Sequence, residues 1–198
     1  MANTFTYKIN NKKYINMTNK CNNNCVFCIR NTSDGLSGYY LWLDREPTVP
    51  EIIAELKDLK GIEEVVFCGF GEPLYRWQEV IEIAKYVKST NTKTRINTNG
   101  QADLIAGCDI VPLLSPVIDC ISISLNEVSA EDYVNICNPE AGEAAYYSLL
   151  DFAKRCKNQI KDVFLTVVDV IGEEKIKKAK EIAKSMGIKL RVRPYTKN

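Results

Sequence analysis

Short β-rich runs alternate with amphipathic helical segments along nearly the whole chain, and this alternation limits the fold more than any other feature. The runs fall at 13–17, 64–68, 94–100 (ending in a turn), 119–126, 162–170 and 188–193. Between them lie helical segments at 48–61, 77–88, 101–114, 129–157 and 173–186; the third is short and irregular, the fourth broken near Asn138-Pro139. Thr48, Pro50 and Glu51 form a helix-start signal, and Ile52, Ile53, Leu56 and Leu59 recur at helical spacing up to Gly61. Val80, Ile81, Ala84 and Val87 mark the second helix, and Ala144, Tyr147, Leu150 and Ala153 the expected core face of the 143–157 piece. One strand followed by five helix–strand units predicts an α/β fold with six parallel strands and outer helices, because parallel neighbours need a long crossover. Six strands are too few for a closed eight-stranded barrel. Residues 4–9 alternate and Asn10-Asn11 is a turn signal, so a short N-terminal β-hairpin leads into the first core strand. A length of 198 residues suits a single domain over 1–198.

Directly after that strand come Cys21, Cys25 and Cys28, spaced C-x3-C-x2-C. Three thiolates on one short loop can hold three corners of a cubane 4Fe–4S cluster. No fourth Cys follows at close spacing, and the chain has no His. The fourth iron is then open to a small molecule, as radical chemistry with S-adenosylmethionine (SAM) requires. The alternative is a structural zinc knuckle or a set of buried thiols. Zinc in a closed site takes four Cys or His ligands, so the fourth would come from a distant Cys. Cys68, Cys108, Cys120, Cys137 and Cys156 are widely spread, and each reads as a small buried hydrophobe. Eight Cys without a secretory leader point to a reducing, cytoplasmic setting. No apolar run approaches the roughly 18 residues of a membrane span.

The triplet, with Phe27 before its last thiol, resembles the C-x3-C-x-aromatic-C signature of radical SAM enzymes. Gly69, Phe70, Gly71, Glu72 and Pro73, which follow a short strand, resemble that family's Gly-Gly-Glu-Pro segment, with Phe70 departing from the pattern. The resemblance implies a partial, three-quarter TIM-like barrel, a 4Fe–4S cluster on Cys21, Cys25 and Cys28, and SAM as second cofactor. It also implies that Phe27 packs near the adenine and that the 69–73 segment binds the methionyl amino group. Asn97 and Asn99 look like the family's third-strand ending, although Asn-Gly is a common turn. Ser122, Ser124 and Asn126 are polar at every second position and so share one face; the family places such residues against the SAM carboxylate or ribose, and a partly solvated strand would look the same. Val170 resembles an adenine-pocket residue. Arg193 and Tyr195 suit the SAM carboxylate and adenine, or equally a solvated tail.

The implied reaction is reductive cleavage of SAM to methionine and a 5′-deoxyadenosyl radical that removes hydrogen from an unidentified substrate, an oxidoreductase-type enzyme. Arg30, Tyr39, Tyr40 and Trp42, on the long 29–47 connection, are candidates for the substrate-side wall; alternatively the aromatics close one end of the core. No side chain stands out as a catalytic acid or base. Along its whole length the chain resembles TatD-associated radical SAM proteins, which implies a reducing electron donor and a TatD-type nuclease as partners. A formal net charge of +1 gives no sign of a nucleic-acid or membrane surface. Two other readings are a glycyl-radical-enzyme activase and a non-enzymatic metal-binding module. An RNA methylase is disfavoured, because nothing follows the last strand.

Overall fold

The computed structural model describes residues 3–31 and 33–195. Strands β1 (Thr6–Ile9) and β2 (Lys12–Asn16) form the expected hairpin. A two-residue hairpin, β3 (Gly35–Leu36) with β4 (Tyr39–Tyr40), lies within the 29–47 connection. Then follow α1 (Val49–Glu55), β5 (Glu64–Cys68), α2 (Trp77–Ser89), β6 (Lys93–Thr98), α3 (Ala102–Ala106) and α4 (Val111–Leu114). The chain continues through β7 (Cys120–Ser124), α5 (Ala130–Cys137), α6 (Ala144–Gln159), β8 (Asp162–Val168), α7 (Glu173–Ser185) and β9 (Lys189–Arg193). The main sheet has the order β1-β2-β5-β6-β7-β8-β9. Six of its strands run parallel, and only β1 is antiparallel. With β1 and β9 at its two edges, the sheet is open rather than closed.

Strand alternation divides the sheet into two faces. Ile15, Val65, Phe67, Ile96, Ile121, Ile123, Leu165 and Val167 point to the helices and are fully buried with Val80, Ile83, Leu149, Phe152 and Ala183. Each such aliphatic side chain contributes about 1.5–3 kcal/mol. The opposite face carries Tyr14, Asn16, Cys68, Arg95, Asn97, Ser122, Ser124 and Thr166, brought level by the strand register. No helix among the described residues is long and apolar enough to cross a membrane.

Four expectations are corrected. The first helix stops at Glu55 rather than running to Gly61: the Leu56 N–H already contacts two carbonyls, Ile52 and Ile53, and Asp58 forms a local turn by accepting from the Lys60 N–H at 3.0 Å. The buried stripe of α6 is Ala145, Tyr146, Leu149, Phe152, Ala153 and Cys156, whereas Tyr147 is 60% exposed. The stripe through Ala144 and Tyr147 also carries Asp151 and Lys154, whose charges keep it in water. Strand β8 ends at Val168, and Asp169–Ile171 form a 3-10 turn. Cys108 is exposed, in the turn between α3 and α4, while Cys120, Cys137 and Cys156 are buried.

Candidate metal and cofactor site

The segments singled out in the sequence meet beyond the C-terminal ends of the parallel strands, where open α/β sheets bind ligands. The cysteine loop follows β2, the 69–73 segment follows β5, and Asn99 follows β6. Two backbone clamps hold the loop. On one side, the Gly71 N–H donates to Thr18 O at 2.9 Å and the Glu72 N–H to Lys20 O at 2.7 Å. A Cβ on Gly71 would lie 2.3 Å from Lys20 O and 2.4 Å from Thr18 O, so only glycine permits this approach. On the other side, the Asn24 N–H donates to Cys137 O and the Val26 N–H to Ile136 O, each at 2.9 Å, at the end of α5.

A buried amide network locks the same loop to β6 and α5. Asn99 Nδ2 donates to Asn22 Oδ1 at 2.6 Å, and Asn22 Nδ2 to Gln101 Oε1 at 2.7 Å. Gln101 Nε2 donates to Asn23 Oδ1 at 2.8 Å, and the Tyr133 hydroxyl accepts from Asn23 Nδ2 and Gln101 Nε2. All five side chains are buried, and in a low-dielectric interior a network satisfied in this way rigidifies what it joins. Asn22, Asn23, Gln101 and Tyr133 escaped the sequence reading. The signal for the first two was the Asn run between Cys21 and Cys25; Tyr133 was hidden in an ordinary helical stripe.

Cys21, Cys25 and Cys28 are all partly buried. Burial pushes the Cys21 thiol up to about 12 and raises Cys28 as well. The backbone of Asn23 and that of Arg30 hydrogen-bond these two sulfurs, and the Arg30 guanidinium favours both thiolates. Cys25 is raised by its contact with the Cys137 thiol and by burial. Among the described residues, no three Cys, Asp or Glu stand close enough to share one metal ion. Three thiols on one short loop are the ligand set of a multi-iron cluster, whereas a closed zinc site takes four Cys or His ligands. Three thiols, backbone donors and a nearby guanidinium fit such a cluster.

The other predicted residues divide by place. Phe27 packs against the main core. Phe70, 5% exposed, meets Trp42 edge-on at 5.0 Å between ring centroids, and Tyr39 lies 5.4 Å from Tyr7. These aromatics form a second small cluster with Leu41, so Phe70 anchors the 29–47 connection. The β3–β4 hairpin carries Tyr40 beside it. Arg30, a candidate for the substrate-side wall, donates to Asn19 O at 3.2 Å and Asn23 O at 3.3 Å, within its own loop. Asn97, Ser122 and Ser124 share the face away from the main core. Asn126 does not join them: Leu125 and Asn126 both donate to Thr166 O, φ becomes +57° at Asn126, and the alternation ends. Val170 is exposed on the 3-10 turn, and Ile171 packs against the core. Arg193 is exposed and acts electrostatically on Cys68. The Tyr195 N–H donates to Asp169 Oδ1 at 2.8 Å, which fastens the end of β9 to that turn.

Glu72 is 3% exposed. Its carboxylate accepts from the Leu74 N–H at 3.1 Å, the Thr98 hydroxyl at 2.8 Å and the Asn99 N–H at 2.7 Å. It thus joins the ends of β5 and β6. Burial pushes it up to about 7 against these three donors. A raised carboxyl favours the folded state fully below its ordinary value of 4.5, and that contribution fades as pH rises through about 7. We expect Glu72 to cost roughly 3 kcal/mol of stability between those limits. Urea unfolding of wild type and Glu72→Gln at pH 4 and pH 8 checks this. A stability difference between the two that does not change with pH would refute it.

The fold and site define a class: an open, parallel α/β core with a three-thiol iron–sulfur loop at its strand ends. The chain belongs to the radical SAM superfamily, whose family model matches residues 15–187. Members of this superfamily use a 4Fe–4S cluster and SAM. The chain is 28% identical over 163 residues to a GTP 3′,8-cyclase of Lactiplantibacillus plantarum, covering 80% of this chain and 46% of that protein. It is 24% identical over 154 residues to a probable dual-specificity RNA methyltransferase of Thermoanaerobacter pseudethanolicus, covering 76% and 42%. The chain thus spans less than half the length of these curated relatives. Among solved structures, Streptococcus suis SuiB bound to its precursor peptide SuiA is similar with a TM-score of 0.66 at 18% identity, over 90% of this chain and 38% of that one. Methylornithine synthase is similar with a TM-score of 0.66 at 17% identity, over 93% and 53%. Both show the partial-barrel fold.

Proposed function

We propose that this chain is the catalytic core of a radical SAM enzyme of oxidoreductase type, acting on a substrate at the open mouth of the barrel. The observation that carries this reading is the thiol triplet, clamped between the 69–73 backbone and the end of α5, where the parallel strands end. When bound, the cluster and SAM supply a one-electron cleavage that gives methionine and a 5′-deoxyadenosyl radical able to remove hydrogen from the substrate. Cys21, Cys25 and Cys28 would hold three irons and leave the fourth for SAM. The 69–73 backbone would take the amino group, with Glu72 holding that backbone in place through its three hydrogen bonds. Asn97, Ser122, Ser124 and Arg193 would meet the polar parts of SAM. Phe70, Tyr39 and Trp42 exclude water on the β1–β2 side. An external one-electron donor is the required partner.

The test is electron paramagnetic resonance of the anaerobically reconstituted, reduced protein with and without SAM, followed by assay for 5′-deoxyadenosine. The expected result is a cluster signal that changes on adding SAM, with deoxyadenosine formed. A colourless protein that takes up zinc in preference to iron would defeat the proposal.

A further inference from the structure

We propose that Arg191 is a substrate-binding residue: its guanidinium, stacked on the Phe164 ring at the open edge of the barrel, holds an anionic group of the substrate, a carboxylate or a phosphate. This rests on the reading above that a substrate meets SAM at the barrel mouth.

The two edges of the sheet differ. On the β1–β2 side, Tyr7, Leu41 and Phe70 are buried and Tyr39 and Trp42 pack against them, so the 29–47 connection closes that side with apolar and aromatic groups. The β9 edge is open and basic instead: Lys189, Arg191 and Arg193 are all exposed. Alternation puts these three on the face away from the main core. The register sets Arg191 opposite Thr166 and Thr166 opposite Ser124, one step beyond the level of Phe164, Ser122 and Asn97. Arg193, which would meet SAM, follows two residues on along the same face, so Arg191 stands beside the cofactor position.

Arg191 Cζ lies over the Phe164 ring, 3.3 Å from its centroid. This contact uses the flat face of the guanidinium and leaves its in-plane N–H donors free. Among the described residues nothing else takes them: Arg95 pairs with Glu64 at 3.3 Å, but no ion pair or side-chain hydrogen bond reaches Arg191 or Arg193. The nearby carboxylates are placed elsewhere. Asp169 accepts from the Tyr195 N–H, and Asp162 stands opposite Cys120 at the far end of β8. The stack has already removed much of the rotamer freedom of Arg191, so an anion need not order it on binding. Its planar fork matches two oxygens of a carboxylate or phosphate.

The experiment is an NMR titration of the reconstituted protein, with SAM present, by inorganic phosphate and separately by succinate at constant ionic strength. It follows the arginine Nε–Hε signals and the backbone amides of β8 and β9. The expected result is a saturable shift centred on Arg191. Phosphate alone would identify the group as a phosphate, succinate alone as a carboxylate, and both as either anion. Arg191→Gln should weaken binding about tenfold, the loss of one charge-assisted contact, with SAM affinity unchanged. Arg191→Lys keeps the charge without the fork and should fall between. Lys184→Gln, which removes an exposed charge from α7, should bind as wild type. Absence of binding in wild type, or undiminished binding in Arg191→Gln, overturns the inference. Equal weakening in Lys184→Gln also overturns it, because it would show only general attraction to a basic edge. So does weaker SAM binding in Arg191→Gln, which would make Arg191 a SAM ligand. Wild type that carries no cluster or does not bind SAM is a separate result: it defeats the functional reading itself, before any anion is added.

Discussion

Cys25→Ala is expected to carry less than one iron per chain, against about four for the wild type, and to form no 5′-deoxyadenosine. Cys156→Ala should keep both. The contrast comes from placement, since both thiols are free and neither is fully accessible. Cys25 stands in the middle of the loop, close enough to Cys21 and Cys28 for its charge to act on both. The backbone around it is fixed by two hydrogen bonds to the end of α5 and by the Asn23 amide. Without its sulfur the cluster has two ligands from the protein and no other thiolate on the same loop. Cys156 is fully buried on α6, packed with the helices on the other face of the sheet. Its loss removes one sulfur of packing, about 1 kcal/mol. Iron and sulfide analysis with visible absorbance decides the matter. Full iron in Cys25→Ala, or equal loss in Cys156→Ala, would refute the ligand assignment.

Gly71→Ala is expected to displace the cysteine loop directly. The added Cβ meets three backbone atoms of 18–20 at 2.3–2.8 Å, and none of them belongs to a side chain that can swing aside. Relief requires the segment entering Cys21 to move, and with it the hydrogen bonds from Gly71 to Thr18 and from Glu72 to Lys20. Overpacking of this kind costs about 1–3 kcal/mol, and the displacement should also lower cluster occupancy. Gly61→Ala is the comparison. Gly61 has φ +73° but nothing within 4 Å of its Cβ position, so it should lose about 1–2 kcal/mol of backbone energy and keep its iron. Urea unfolding midpoints and iron content on both variants test the pair. A Gly71→Ala protein with wild-type stability and iron would show that the 69–73 segment does not position the cysteine loop.

The expected six parallel strands and N-terminal hairpin are present because each rests on a local rule: β-branched runs of strand length, helix-period stripes between them, and a turn at Asn10-Asn11. The same rules misled at α6, where two adjacent stripes both read as apolar and only the charges of Asp151 and Lys154 separate them. They also misled at Asn126, where period-two alternation was extended beyond the point at which two N–H groups converge on Thr166 O.

The sequence by itself determined the chemistry on offer: three thiols at a fixed spacing, no histidine, and a glycine-rich carboxylate segment after a buried strand. Local spacing is enough for this, because neighbours within one short loop remain neighbours in any fold. Only the tertiary structure decided which residues hold that chemistry in place. Glu72 reaches Asn99 across 27 positions, Asn23 reaches Tyr133 across 110, and Arg30 hydrogen-bonds carbonyls of its own loop. Such contacts leave no periodic trace, since they depend on how the ends of β2, β5 and β6 and helix α5 converge. That convergence also sets the end of α5 against the cysteine loop, where the Asn24 and Val26 N–H groups donate to the carbonyls of Cys137 and Ile136.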